Sequence, residues 1–362
     1  MNEPYSAELA VLGIRTRFVA DDPLLLDAAL AGYTAWRGVE PVPGEAGVRL
    51  RIAGLAGGLD VAGGPPSISA VGARLIVRGP DMAAIANAMT GAGDAFVSAA
   101  LAASPERLAA ELLDTLLLFM LTRRDRQPLH AAGLVRNGVA ALLCAPSGVG
   151  KSTLAVAAPA HGFRLLSDDS VYLESAAADA AGGLRVWGFP RAVHLAPHAP
   201  AAVEDSTNAI WVDAGFAEMV AAAGAGPGRA IDATSLPAAT SAWAAGEPAR
   251  EGRTTGPPPL RFRNGRWKQA HSLPGAWASP PVAARGALFL LRRGNGRAST
   301  RRLRPDDAVA EVMKGLDPGF DAFRATLPPV LQRLTAAGAW QLTTSPDPAE
   351  TLEVVGKVVE RG

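Results

Sequence analysis

The chain has 362 residues, 49% of them hydrophobic and 19% charged, with 35 basic against 34 acidic side chains and a formal charge of +1. That apolar share excludes a wholly disordered chain, and the length suggests two domains, or one large domain with an appendage. The near-neutral balance supplies no bulk field for nucleic acid or anionic lipid, so neither is expected as a partner.

Cys144 is the sole cysteine, which excludes an internal disulfide framework and any cysteine-built zinc site. Five histidines, at 130, 161, 194, 198 and 271, lack the H-E-x-x-H spacing of a helical zinc site. Met1-Asn2-Glu3-Pro4 carries acid where a secretion signal carries base. The longest apolar run, Leu116 to Leu121, falls far short of the ~20 residues that span a bilayer. A soluble, cytoplasmic protein is expected. Only four of the 35 basic residues are lysines (151, 268, 314 and 357), so a lysine inside a motif carries weight.

Residues 1–103 read as an α+β module. Leu9 to Val19 suits strands, Asp22-Pro23 opens a helix running to Trp36, and Val48 to Ile52 alternates apolar and basic as a half-buried strand does. Ser67 to Arg78 predicts more strand, and Pro80-Asp81-Met82 predicts the start of a second helix. No catalytic constellation is visible there, so a docking or structural role is expected. Ser104-Pro105-Glu106 then opens a connecting helix within 104–128. Its Leu108, Leu112, Leu116 and Phe119 recur at helical spacing, and the extra Leu113, Leu117, Leu118 and Met120 predict burial on most sides.

The second domain, 129–362, begins with strand, glycine-rich turn, helix and strand between Leu129 and Leu173, the order of a βαβ unit. Val139 to Cys144 reads as a strand buried on both faces, Ser152 to Ala158 as a helix, and Arg164-Leu165-Leu166 as the next strand. Residues 221–259, rich in Ala, Gly, Pro, Ser and Thr, are expected to form a long flexible loop or lid. Gly286 to Leu291 predicts a buried strand, and helices are expected near 305–314 and 321–337.

The sharpest feature is Ala145-Pro146-Ser147-Gly148-Val149-Gly150-Lys151-Ser152-Thr153, which fits G-x-x-x-x-G-K-[ST] except for Ala145 at the first glycine. Gly148 and Gly150 permit the backbone angles that turn successive N–H groups inward, an anion nest at a helix start. Lys151 sets a point charge on the β- and γ-phosphates, and the Ser152 hydroxyl can ligate Mg²⁺. Ala145 fits only with a negative φ. The strand before and the helix after are what the mechanism requires, so nucleotide binding is expected across Pro146 to Thr153.

Asp168 and Asp169, in Leu165-Leu166-Ser167-Asp168-Asp169, follow Lys151 by 17 and 18 residues. A carboxylate pair at a strand end, one helix after a phosphate loop, lies where a parallel sheet presents its ligands. One carboxylate can hold Mg²⁺ while the other accepts a proton from an attacking hydroxyl.

Leu129-His130-Ala131-Ala132-Gly133, the loop at 147–152 and His161-Gly162-Phe163-Arg164-Leu165-Leu166-Ser167-Asp168-Asp169 together resemble the catalytic domain of HPr kinase/phosphorylase and related serine kinases. The likeness is specific over 129–173 and looser to about 315. The first hundred residues are more like the divergent HPr-kinase-like proteins that accompany peptide maturation, lasso-peptide kinases included. The resemblance implies an α/β phosphate-loop kinase core related to phosphoenolpyruvate carboxykinase, and ATP-Mg²⁺ chemistry on a serine hydroxyl of a protein or peptide. It implies Asp168 as general base, Asp169 with Ser152 at the metal, and His130 near the catalytic centre. A homo-oligomer is expected. The chain departs from the family pattern at Ala145. It also shows Trp187-Gly188-Phe189-Pro190-Arg191 where a downstream glycine-rich signature accompanies phosphorolysis. The other readings of the residues are a nucleotide-binding regulatory or scaffold ATPase, and a kinase of a small hydroxylated metabolite.

Arg191, after a predicted strand, offers a bidentate fork for a phosphate or substrate carboxylate, against the alternative of a surface arginine. Glu174 reads as a solvated strand residue rather than a metal ligand. The arginines at 285, 292, 293, 297, 301, 302 and 304 read as a solvated hairpin, Arg261 to Lys268 as a loop over nucleotide or peptide, and Cys144 as inert packing.

Overall fold

The computed structural model describes residues 4–55, 66–146, 148–174, 184–191, 193–195, 210–212, 259–262, 267–271, 273–316 and 320–361. Strand β1 (Tyr5–Val11) turns at Leu12-Gly13 into β2 (Ile14–Ala20), and Asp22 caps α1 (Pro23–Ala31) by accepting from the Leu24 N–H at 2.7 Å. Helix α1 is shorter than expected; a 3₁₀ turn at Thr34–Trp36 completes the stretch. Strands β3 (Val48–Gly54), β4 (Ser67–Val71), β5 (Arg74–Gly79), β6 (Met82–Asn87) and β7 (Ala92–Val97) follow, giving a seven-stranded sheet in the order β1-β2-β3-β7-β6-β5-β4.

The helix expected from Pro80 is therefore strand β6. Gly79 pairs with Met82 across a tight turn, and Met82, Ala84 and Ala86 point into the core while Ile85 points out. An alanine-rich run has helical propensity, but cross-strand pairing and burial decide its state here.

The inner face of this sheet, Phe18, Leu50, Ile52, Leu75 and Val77 among others, packs against α1 and the connecting helix. After α2 (Ala99–Ala102), that helix comprises α3 (Pro105–Leu108), a π-helical turn (Ala109–Leu113) and α4 (Asp114–Leu121). Every residue from Thr115 to Leu121 is buried, as the doubled leucine pattern requires.

Beyond it come β8 (Arg126–His130), β9 (Ala132–Arg136), β10 (Val139–Cys144), α5 (Lys151–Ala157), β11 (Arg164–Ser167), β12 (Ser170–Glu174) and β13 (Val186–Trp187). Short strands β14 (Val193–Leu195), β15 (Ile210–Val212), β16 (Pro259–Phe262) and β17 (Trp267–His271) form a four-stranded sheet of their own. The chain ends with β18 (Val282–Ala283), β19 (Arg285–Arg293), β20 (Ser299–Arg302), α6 (Pro305–Lys314), α7 (Leu327–Ala337), β21 (Ala339–Thr344) and α8 (Pro348–Arg361). A six-stranded sheet runs β11-β9-β10-β19-β21-β20, and a four-stranded one β18-β13-β12-β8. The molecule is thus mixed helix and sheet, compatible with the expected α/β class. Strands β10, β19 and β21 are mutually parallel, while β9 runs antiparallel between β10 and β11, so β10 and β11 point the same way without touching. The expected arginine hairpin does not form: β21 lies between β19 and β20.

One buried apolar cluster extends from Phe18 and Leu50 through Leu112 and Phe119 to Tyr172 and Trp187. The boundary expected near 103–128 is a change of sheet within a shared core. Trp36 packs on Trp187 and Phe189, with ring centroids 6.4 and 6.1 Å apart. Arg126, fully buried, donates to the Leu12 carbonyl at 2.7 Å and to Glu45 at 2.9 Å, and lies 3.7 Å from Glu174. Glu174 is therefore not the solvated residue its alternation suggested. β12 is covered on both faces, and the carboxylate is held by Arg185 at 3.1 Å and the Trp187 indole at 2.8 Å. A buried charge needs such partners. Among the described residues no helix is long and apolar enough to cross a membrane. The loop expected over 221–259 lies outside the described residues except for Pro259, at the start of β16.

Candidate active site

The register of the six-stranded sheet brings three separate sequence segments to one edge. Leu143, next to the end of β10, pairs with Ala132 at the start of β9, and Ser167, ending β11, pairs with Gly133. The loop after Cys144, the Asp168-Asp169 turn after Ser167 and His130 before Ala132 therefore meet at the same end. That edge is the carboxyl end of the parallel strands β10, β11, β19 and β21, where open α/β sheets hold ligands.

The loop has the geometry its glycines allow. Gly148 takes φ +88° and Gly150 φ +119°, both left-handed, and a Cβ at either would project into open space. Positive φ is confined to Leu12, Asp125 and Asn137 among the described non-glycine residues, so Ala145 meets the condition on its angle. Lys151 opens α5 and is buried, its Nζ donating to the Ala145 carbonyl at 2.5 Å. The ammonium is thus folded back over the loop it belongs to. Ser152 is half-buried, Pro146 and Thr153 are exposed, and Val149 packs on the apolar cluster that holds Leu154 and Phe289. Ser147 lies outside the described residues.

The two aspartates face different surroundings. Asp168 is 5% exposed, whereas the Asp169 side chain is 54% exposed. The Ser167 hydroxyl accepts from the backbone N–H of Asp169 at 3.4 Å and of Ser170 at 3.2 Å, which fixes the turn carrying both. A register shift between Leu165 and Ser167 marks a bulge against β9, a device that re-aims the residues that follow it. Gly188 completes this arrangement, because a Cβ there would collide with the Leu166 carbonyl.

His130 ends β8 opposite Ser170 of β12, so its Nε2 comes 3.4 Å from Asp169 Oδ1. Its ring rests on Phe320 with centroids 5.6 Å apart. His130 and Asp169, which the sequence reading named separately, are therefore in contact.

Arg191 is placed elsewhere. Its guanidinium grips Asp114, Nε to Oδ2 at 2.8 Å and Nη2 to Oδ1 at 2.5 Å, and donates to the Gly32 carbonyl. Tyr33 donates to the same carboxylate at 2.6 Å, and the arginine lies over the Tyr33 and Phe189 rings. A fork already filled by Asp114 is not open to a phosphate or substrate carboxylate; Arg191 joins the first sheet's helices to the second domain.

Arg293, which the sequence reading placed in a solvated arginine hairpin, stands instead beside the 145–153 loop. It lies three residues beyond the Leu290 that pairs with Cys144, and its Nη2 reaches the Gly148 carbonyl at 3.4 Å. The signal was present: β19 reads as a buried strand, and a cation at its carboxyl end shares the edge of the 145–153 loop. Cys144 is buried in β10, in line with the expected packing role, and burial pushes its thiol up to about 12, opposed in part by the Lys151 charge.

No family model matches this chain, and no curated protein matches it.

Proposed function

We propose that this chain is a cytoplasmic ATP-dependent serine kinase that phosphorylates a hydroxyl on a protein or ribosomally synthesised peptide, on a phosphate-loop core of the HPr kinase type. One observation carries the reading: the loop at 145–153 and the Asp168-Asp169 turn share the carboxyl edge of the six-stranded sheet, and His130, at the end of β8 in the adjoining four-stranded sheet, comes within 3.4 Å of Asp169. Either half alone is common, whereas a glycine-lined loop beside a buried and an exposed carboxylate supplies both parts of a phosphotransfer site.

The residues present fit ATP and Mg²⁺. The open space over Gly148 and Gly150 suits a phosphate cradle, and Lys151 sits where its charge serves that cradle. Ser152 and the exposed carboxylate of Asp169 are hard oxygen donors of the kind Mg²⁺ takes. Bound ATP-Mg²⁺ supplies the activated phosphoryl group. Asp168, buried and held by the Ser167 turn, accepts the proton of the acceptor hydroxyl, and His130 orients Asp169.

The test is incubation with γ-labelled ATP, Mg²⁺ and serine-containing peptides, followed by mass analysis. Label on a serine supports the reading; phosphate released with no labelled acceptor points instead to a hydrolytic switch. Lys151→Ala is expected to abolish both labelling and stabilisation by nucleotide.

A further inference from the structure

The outer face of the seven-stranded sheet has a charge and apolar pattern that the phosphotransfer reading does not use. Across the strands, Glu8, Arg17, Arg49, Ala92, Asn87 and Arg74 stand in one register row. The next row runs Val19, Arg51, Asp94, Ile85 and Ile76. Arg17 and Arg49 are direct cross-strand partners, and like charges so placed destabilise a sheet. Among the described residues, Arg49, Arg51, Arg74 and Arg78 have no carboxylate within ion-pair distance, and all four are exposed. Beside them the face turns apolar: Phe96 is 46% and Ile85 42% exposed, and Ile76 on the neighbouring β5 is half-buried. A solvated sheet face is normally polar throughout, and an exposed apolar patch rimmed by charge marks an interaction surface.

We propose that this face binds an acidic segment of another polypeptide that also carries apolar side chains. Its carboxylates would lie over Arg17, Arg49 and Arg51, and its apolar residues over Ile85, Ile76 and Phe96. From β2 to β5 the face is four strand spacings wide, about 19 Å, which about six extended residues cross. Single-stranded nucleic acid is the poorer fit. Its binders interleave cations with several aromatic rings, and Phe96 is the lone aromatic in these two rows and the next. The inference is independent of the phosphotransfer reading.

The test uses the full chain and fluorescence anisotropy with a labelled peptide of alternating glutamate and leucine. A glutamate–serine peptide, a lysine–leucine peptide and a single-stranded oligonucleotide serve as comparisons. The glutamate–leucine peptide is expected to bind most tightly and to weaken with added salt. Arg49→Glu with Arg51→Glu, and separately Ile85→Ser with Phe96→Ser, should each weaken it about tenfold or more. Arg49→Lys with Arg51→Lys should retain binding, and melts followed by circular dichroism should show every variant folded. The proposal is overturned if the peptide fails to bind, if binding survives both disruptive pairs, or if the oligonucleotide binds more tightly and is lost with the arginines.

Discussion

Arg191 and Asp114 form a two-pronged ion pair across 77 residues of sequence, with Nε–Oδ2 at 2.8 Å and Nη2–Oδ1 at 2.5 Å. The pair fastens the connecting helix to the segment after β13, and Tyr33 adds a third bond to the same carboxylate. The neighbouring acid holds the Arg191 guanidinium above its ordinary value despite its burial, while burial and Asp114 push the Tyr33 phenol well above the usual range. Arg191→Ala leaves Asp114 without its cation and should cost about 2–4 kcal/mol in chemical denaturation. The folded fraction should keep its Michaelis constant for ATP. A large rise in that constant with unchanged stability would instead place Arg191 at the substrate.

Cys144 links burial to pH. Its thiol is raised from an ordinary 9.0 to about 12, so between those values the unfolded chain has lost the proton while the folded chain keeps it. The folded state then binds more protons, and stability falls as pH rises. Buried Tyr33 and Tyr172 add the same trend at higher pH. Denaturation between about pH 8.5 and 10 should show the decline, and Cys144→Ala should flatten it. Alkylation of the native thiol should be slow and become rapid on unfolding.

Arg293 reaches the 145–153 loop from β19, through one long bond to the Gly148 carbonyl. An exposed contact of this kind is worth about 1 kcal/mol or less. Arg293→Ala should therefore raise the Michaelis constant for ATP by about two- to fivefold, with the melting temperature unchanged. Steady-state kinetics on ATP alone distinguish this from a stability effect.

The left-handed glycines of the 145–153 loop and the strand and helix that flank it were legible because their determinants are local. Gly148, Gly150 and Lys151 need only a strand before them and a helix after. His130 and Asp169 were legible through their motifs, and the β8–β12 register explains why they meet. Arg293 was hidden because its partner is a backbone carbonyl 145 residues away, reached only through the parallel β10–β19 pairing. The Ala-rich β6 was misread because helical propensity is intrinsic while strand pairing is not. Glu174 was misread because alternation assumes one open face, and β12 has none. Arg191 carried the right chemistry, a bidentate fork on a carboxylate, but the carboxylate belongs to this chain.

The central claim is that Asp168 removes a proton during transfer, so binding and chemistry should separate at that residue. The decisive measurement sets Asp168→Asn beside the unaltered chain, scoring ATP-dependent thermal stabilisation and the rate of serine phosphorylation in the same preparations. The account predicts undiminished stabilisation and a rate lower by about 10²–10⁴-fold. Full-rate phosphorylation by Asp168→Asn would contradict it.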